Sequence, residues 1–235
     1  MLNANCSVPL YQQLKEKIRE EIASGVYKPG EQLPSERAFS QKNGISLITV
    51  RKALAELAAE GIIDKKQGKG SFVAIPKYGR DYTSIMSFSE ACRMEGLRPG
   101  SSLIVRRIER VDENIARILR LEGDQLAVYI SRLRTVNEEP MVIENSYFSL
   151  EYSFLLKEDL SGSLFDLLRS RLQVEITSSR KTIEICRAQS DDAKLLNVTR
   201  NSPLMLVKSI AFMQNDQPAY YCTQIINGER YKLHV

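Results

Sequence analysis

Apolar positions repeat at helical spacing near the start of the chain. Leu10, Leu14, Ile18 and Ile22 form one stripe, which predicts a helix from Leu10 to Ser24, closed by Gly25. A turn follows at Tyr27-Lys28-Pro29-Gly30. Ser35 suits a helix N-cap, because its hydroxyl accepts from the free N–H groups of a first turn, and the helix it opens runs to about Lys42. Asn43-Gly44 ends that helix, since both residues tolerate positive φ. Ser46 caps a third helix that runs to Glu60 and stops at Gly61. Its Val50, Leu54 and Leu57 face inward, while Thr49, Arg51 and Lys52 lie off that stripe near the N-terminal end. Ile62–Lys66 and Ser71–Val73 read as strands joined by Gln67-Gly68-Lys69-Gly70. Two short helices with a turn between them, followed by a basic hairpin, are the layout of a helix-turn-helix. The second helix of such a unit enters the DNA major groove by its N-terminal end.

The pattern then lapses and changes. AIPKYGRDYT, from Ala74 to Thr83, has Pro, Gly and charge but no period, and reads as a linker. The expected division is therefore 1–74, a linker at 75–83, and a second domain at 84–235. In that domain Ser87–Gly96 reads as a short helix and Leu103–Ile108 as a strand. Glu113–Leu121 reads as a helix and Gln125–Val136 as a long strand. Asn137-Glu138-Glu139-Pro140 reads as a hairpin turn leading into Met141–Phe148. Ser161-Gly162-Ser163 opens a helix over Leu164–Leu172. A strand from Val174 to Arg187, a short helix over Asp191–Leu196 and a hairpin of Leu204–Gln214 with Pro218–Ile226 complete the series. Strands joined mostly by hairpins, with helices interspersed, predict an antiparallel α+β domain. Arg117–Asp124 and Asp192–Ser202 share a helix–turn–strand pattern, which points to an internal duplication.

Side chains alternate along a strand, so Val128, Ile130, Arg132 and Arg134 share one face. On the partner strand Val142, Glu144, Ser146 and Phe148 do the same. Charges among apolar residues on one strand face fit a partly buried pocket, where arginine forks recognise phosphate or carboxylate. An internal Arg–Glu ion pair with no ligand fits the spacing equally well. Ser87, Ser89 and Ser163 stand at helix starts, where anions are favoured, although such serines are usually only caps.

Composition narrows the functional classes. The chain has 235 residues, 43% hydrophobic and 26% charged, which suits one or two globular domains with adequate cores. No apolar run is long enough for a membrane span, and MLNANCSVPL lacks the basic-then-apolar order of a signal peptide. Cys6, Cys92, Cys186 and Cys222 are far apart and read as free thiols, so a cytoplasmic location is expected. A single histidine, His234, leaves little for a zinc site or a histidine-based triad, and neither metal nor cofactor is expected. From Arg37 to Gly70, seven basic residues stand against three acids, a local excess equal to the formal +4 of the whole chain. The positive excess is thus local, as a polyanion-binding face requires.

With Pro9-Leu10-Tyr11, Gly25, Pro29-Gly30, Leu33-Pro34-Ser35-Glu36-Arg37, Thr49-Val50-Arg51-Lys52-Ala53-Leu54 and Gln67-Gly68-Lys69-Gly70-Ser71-Phe72-Val73, the stretch from about residue 8 to 74 resembles the winged helix-turn-helix of GntR-family bacterial transcription regulators. The resemblance implies DNA contacts by Arg37, Ser46, Thr49 and Arg51, and by the wing turn at Gly68 and Lys69. The family usually has an arginine after the position of Ser46, where this chain has Leu47. Leucine cannot make arginine's bidentate contact to guanine, so operator sequence does not carry over from relatives.

Ser87-Phe88-Ser89, Gly96-Leu97-Arg98-Pro99, Arg132-Leu133-Arg134, Pro140 to Glu144, Ser163 to Leu168 and Gly228-Glu229-Arg230-Tyr231 follow the order of the UTRA effector-binding domain. That domain belongs to the HutC subfamily and resembles chorismate lyase. In amino-sugar-phosphate sensors of that subfamily, the positions of Ser89, Arg132, Arg134 and Ser163 bind phosphate, and that of Glu144 binds sugar hydroxyls. Two further sugar-side positions, usually Glu and Tyr, are Tyr220 and Ile226 here. The candidate effector residues are then Ser87, Ser89, Arg132, Arg134, Glu144, Ser163 and Tyr220.

The expected protein is a homodimeric DNA-binding regulator, a repressor, on a palindromic operator of double-stranded DNA. A small anionic effector, a phosphorylated sugar, would control it. Two alternatives stay open: a second domain that only dimerises, and a chorismate-lyase-like enzyme. The second is a fold-level analogy.

Overall fold

The computed structural model describes residues 2, 3, 6–75, 77–173 and 175–234. The chain divides into two compact units, Met1–Pro76 and Lys77–Val235.

In the first unit, α1 (Leu10–Ala23), α2 (Glu36–Asn43) and α3 (Leu47–Ala59) enclose one apolar core. Leu14, Ile18, Val50, Leu54 and Leu57 are buried in it, as their spacing predicts. Two serines set the register of α2 and α3. Ser35 Oγ accepts from Ala38 N–H and Ser46 Oγ from Thr49 N–H, each at 3.2 Å. Gly44, with φ 63°, makes the left-handed exit from α2. Strands β1 (Ile63–Lys66) and β2 (Gly70–Val73) pair antiparallel and form the wing.

The second unit contains a six-stranded antiparallel sheet. Its strands are β4 (Pro99–Arg110), β5 (Leu126–Val136), β6 (Glu139–Phe148), β7 (Ile176–Arg187), β8 (Pro203–Met213) and β9 (Pro218–Ile226), in the order β4-β5-β6-β9-β8-β7. One face packs Val128, Ile130, Phe148 and Tyr220 against α6 (Leu164–Leu172) and a 3-10 segment at Leu150–Leu156. The other face is covered in two places. Ala127 meets Ala116 of α5 (Glu113–Ile118), and Ile143 and Leu204 meet Ala193 of α7 (Ser190–Leu195). A further helix, α4 (Phe88–Met94), buries Phe88 and Cys92. All four cysteines are free thiols.

Three sequence expectations change. The span expected as a linker holds a strand, β3 (Tyr78–Asp81), which pairs in parallel with β10 (Tyr231–His234). Neither four-residue strand is long enough to show a clear period. The hairpin turn after β5 is only Asn137-Glu138, with φ 49° and 72°, and Pro140 already belongs to β6. The strands' right-handed twist favours such a two-residue turn. The ladder shifts register between Arg134 and Thr135, and a proline is tolerated at such an irregularity. The strand expected from Val174 begins at Ile176, and Val174 itself lies outside the described residues.

The duplication extends over four of the six strands. β4, α5 and β5 start at residues 99, 113 and 126, and β7, α7 and β8 start at 176, 190 and 203. The offset is 77 residues in each case, and each pair of elements has equal length. Loop hydrogen bonds repeat as well. Val111 N–H donates to Gln125 O, and Ala188 N–H to Ser202 O, both at 3.0 Å. The two halves meet at the β6–β9 pairing, from Val142 opposite Ile226 to Tyr147 opposite Tyr221.

Candidate functional site

The first unit presents a basic surface built from α2, the N-terminal half of α3 and the wing. Glu56 and Glu60, at the other end of α3, are taken up by Lys15 of α1 at 2.9 and 3.1 Å. Arg37 and Ser46 are exposed and Thr49 is half-buried. Ser46 and Thr49 share a hydroxyl–hydroxyl hydrogen bond of 2.8 Å. Arg51 Nε donates to Glu36 Oε2 at 2.7 Å, which ties α3 to the start of α2. In the wing turn, Gly68 has φ 72° with open space around it, so the backbone there admits close approach. Gln32 Nε2 donates to Lys69 O at 2.7 Å and fixes the turn, while Lys69 stays exposed. Leu47 begins α3, and the next residue, Ile48, is 78% exposed.

The second unit encloses a cavity on the α6 side of the sheet. Of the residues singled out from sequence, Ser87, Arg132, Arg134, Glu144, Ser163 and Tyr220 line it. The ladder explains this grouping. Arg132 stands opposite Glu144 on β6, and Glu144 opposite Gln224 on β9. Arg132 donates to Glu144 Oε1, and its Nη1 donates to the carbonyls of Leu160 and Gly162 at 3.2 and 2.9 Å. Arg134 Nη1 lies 3.5 Å from the same carboxylate oxygen. The other carboxylate oxygen accepts from Gln224 Nε2 at 3.0 Å. Burial alone would raise the Glu144 carboxyl, but the Arg132 and Arg134 charges outweigh it and hold the group at about 2. Burial, opposed by Glu144 and helped by Arg132, lowers Arg134. Thus the ion pair is real, and it also forms one wall of a cavity. The Nε of Arg132 is buried without a hydrogen-bond partner.

The serines have separate jobs. Ser89 does not line the cavity; its Oγ accepts from Arg134 Nη2 at 2.9 Å and orients that guanidinium. Ser87 caps α4, accepting from Glu90 N–H at 3.1 Å, and Ser163 caps α6, accepting from Asp166 N–H at 3.2 Å. Tyr220 packs its ring 5.1 Å from that of Phe148. Ile226 is fully buried beside Val142 in a separate apolar cluster.

The cavity residues not legible in the sequence include Arg80, Tyr82, Lys181 and Gln224. Arg80 comes from β3, the strand hidden in the expected linker. Lys181 comes from β7, whose residues are mostly exposed. Burial, helped by the Arg80 charge, lowers the Lys181 ammonium.

Residues 10–73 match "Bacterial regulatory proteins, gntR family", and residues 94–232 match the UTRA domain. The HTH-type transcriptional repressor NagR of Bacillus subtilis (strain 168) is 30% identical over 231 residues, covering 98% of this chain and 95% of its own. The chain belongs to the GntR family. Within it, the UTRA domain places the chain in the HutC type. A probable fructoselysine utilization operon transcriptional repressor of Escherichia coli (strain K12) is 28% identical, covering 96% of this chain and 93% of its own. The crystal structure of PhnF from Mycobacterium smegmatis shares the fold. Its TM-score is 0.69 at 23% identity, covering 95% of this chain and 96% of that one. This GntR protein is a DNA-binding transcriptional repressor rather than an enzyme. Among its described residues no helix is long and apolar enough to cross a membrane.

Proposed function

We propose that this repressor acts as a homodimer on a palindromic operator and that a small anionic metabolite, a phosphorylated sugar, sets its operator affinity. Arg37, Ser46, Thr49, Arg51, Gly68 and Lys69 contact the DNA. Arg132, Arg134 and Ser163 receive the phosphate, and Glu144 receives hydroxyls. The observation that carries the effector reading is the pair of buried arginines on β5 facing one cavity, with the Arg132 Nε left unpaired. Arginine's planar fork matches phosphate oxygens better than a lysine does. The names of relatives add a saccharide theme: one is a mannosyl-D-glycerate transport/metabolism system repressor, another a probable fructoselysine utilization operon transcriptional repressor.

An effector must favour one arrangement of the dimer over another, or it would not change operator affinity. A coupling of about 1–3 kcal/mol suffices. Fluorescence anisotropy of labelled operator, with candidate phosphosugars added, tests the reading. A phosphosugar should shift the operator affinity of the parent by about 5- to 150-fold. Arg132→Lys with Arg134→Lys should bring that shift below about twofold while the variant still binds operator. An uncharged effector that produces the full shift would sink the reading.

The dimer has its own check. One recognition helix and one wing touch too few bases for a specific site, and two-fold symmetry doubles them. Sedimentation at micromolar concentration should give twice the chain mass. A monomer that binds a single half-site tightly would contradict this.

A further inference from the structure

We propose that the effector carries two separate acidic groups, a phosphomonoester at the Arg132–Arg134 end of the cavity and a carboxylate at an Arg80–Lys181 end. This rests on the anionic-effector reading above and goes beyond it by assigning a second acidic pole and its ligand chemistry.

Charge is the first argument. Among the described residues lining the cavity, Arg80, Arg132, Arg134 and Lys181 are cationic and Glu144 alone is acidic. Four positive charges and one negative leave an excess of three. A phosphomonoester brings a charge of about −1.5 to −2 at neutral pH. A phosphosugar without a second acid would therefore leave about one cation of this partly buried cavity uncompensated, which is unfavourable. One added carboxylate closes the difference.

Placement is the second argument. Lys181 stands opposite Ser209, Ser209 opposite Cys222, Cys222 opposite Ser146, and Ser146 opposite Ile130. Lys181 thus belongs to the outer strand of one repeat and Arg132 to the other repeat. Four strand spacings separate β7 from β5, roughly 19 Å at about 4.8 Å each. Both side chains line the same cavity from different strands, a placement suited to a short polyol chain with an acid at each end.

Arg80 stands between the two poles, 5.9 Å from the Phe88 ring centre that Arg134 faces at 4.7 Å, and it also reaches the second pole. Its guanidinium lies 4.8 Å from the ring centre of Tyr82, and the Lys181 ammonium lies 5.2 Å from the same ring. Nη2 of Arg80 donates to Met86 O at 3.4 Å, whereas Nη1 is buried without a hydrogen-bond partner. Lys181 Nζ donates to Tyr82 O at 2.7 Å and to Ser84 O at 3.5 Å, and an ammonium has three donors. Each cation therefore has donor capacity to offer a carboxylate. The repeat adds a contrast. The positions 77 residues after Arg132 and Arg134 are Ser209 and Ala211, so the second half did not keep the phosphate cradle and reaches the cavity with Lys181 instead.

The test is calorimetric titration of the full chain with three probes: inorganic phosphate, sorbitol 6-phosphate and 6-phosphogluconate. The last two have the same carbon chain length and differ at one end, a hydroxymethyl against a carboxylate. 6-Phosphogluconate should bind at least tenfold more tightly than sorbitol 6-phosphate. Lys181→Met should bring the two affinities within threefold of each other, and Lys181→Arg should restore the gap. Parent affinities within threefold, or a preference for sorbitol 6-phosphate, would overturn the second pole and leave the phosphate reading standing. If all three probes, phosphate included, fail to bind, the anionic-effector reading falls with it. The parent comparison decides the matter even if Lys181→Met does not fold.

Discussion

Arg132→Ala should lower the stability of the second unit by about 3–5 kcal/mol. The loss comes less from the broken pair than from what remains. Glu144 would stay buried, with Gln224 at 3.0 Å and Arg134 Nη1 at 3.5 Å as its remaining polar neighbours. The carbonyls of Leu160 and Gly162 would lose their donor as well. Urea unfolding followed by tyrosine fluorescence measures the effect, since the chain has 10 Tyr and no Trp. Adding Glu144→Ala should recover at least half of the loss, because the stranded charge is gone. A loss under about 1 kcal/mol in the single variant would place the pair among exposed ones. The same pair gives a pH signature. Glu144 is held at about 2, below the ordinary carboxylate range, so its contribution is fully present above that range. It drains away as pH falls toward about 2, and Glu144→Gln should flatten that limb of the acid unfolding curve.

Arg51→Ala and Arg37→Ala should each weaken operator binding by roughly 1–3 kcal/mol per half-site, so about twice that over a two-fold operator. Arg51 must exchange its Glu36 partner for DNA. The exchange costs little, because the arginine side chain is 64% exposed and such pairs are weak. Lys69→Ala sets the contrast. It should weaken all sequences alike and lower the slope of log affinity against log salt by about one per protomer. Competition titrations against operator variants measure both effects. Folded Arg37 and Arg51 variants that bind as the parent does would remove these residues from the interface.

The helix-turn-helix was legible because its signals are local. Ser35, Gly44 and Ser46 are caps and breaks that act within one turn, and Val50, Leu54 and Leu57 mark one helix face. The long strands β5 and β6 showed their alternation over ten residues or more. Arg132, Arg134 and Glu144 were found because charge on an apolar strand face is unusual wherever it occurs. The rest of the cavity depends on long-range pairing. Arg80 sits in a four-residue strand whose partner is about 150 residues away, near the C-terminus. Lys181 looks like any solvated lysine until the ladder places it beside Ser209. The 77-residue offset is faint in the sequence because few residues repeat with it, among them Ser101 with Ser178, Ala116 with Ala193 and Leu119 with Leu196. What the copies share is backbone hydrogen bonding and small buried side chains, to which many sequences are suited.

The repeat also bears on the order in which the protein acquires its structure. Each meander, β4 to β6 or β7 to β9, closes through neighbours in sequence, which costs little chain entropy. The pairing of Val142 with Ile226 closes a far longer loop. Contacts of that kind are slow to form, so the β6–β9 seam is expected late on the folding path. Glu144 and Gln224 face each other across that seam. A small molecule gripped from both sides of it would act after the folding barrier rather than before. It would leave the refolding rate nearly unchanged and lengthen the lifetime of the folded repressor.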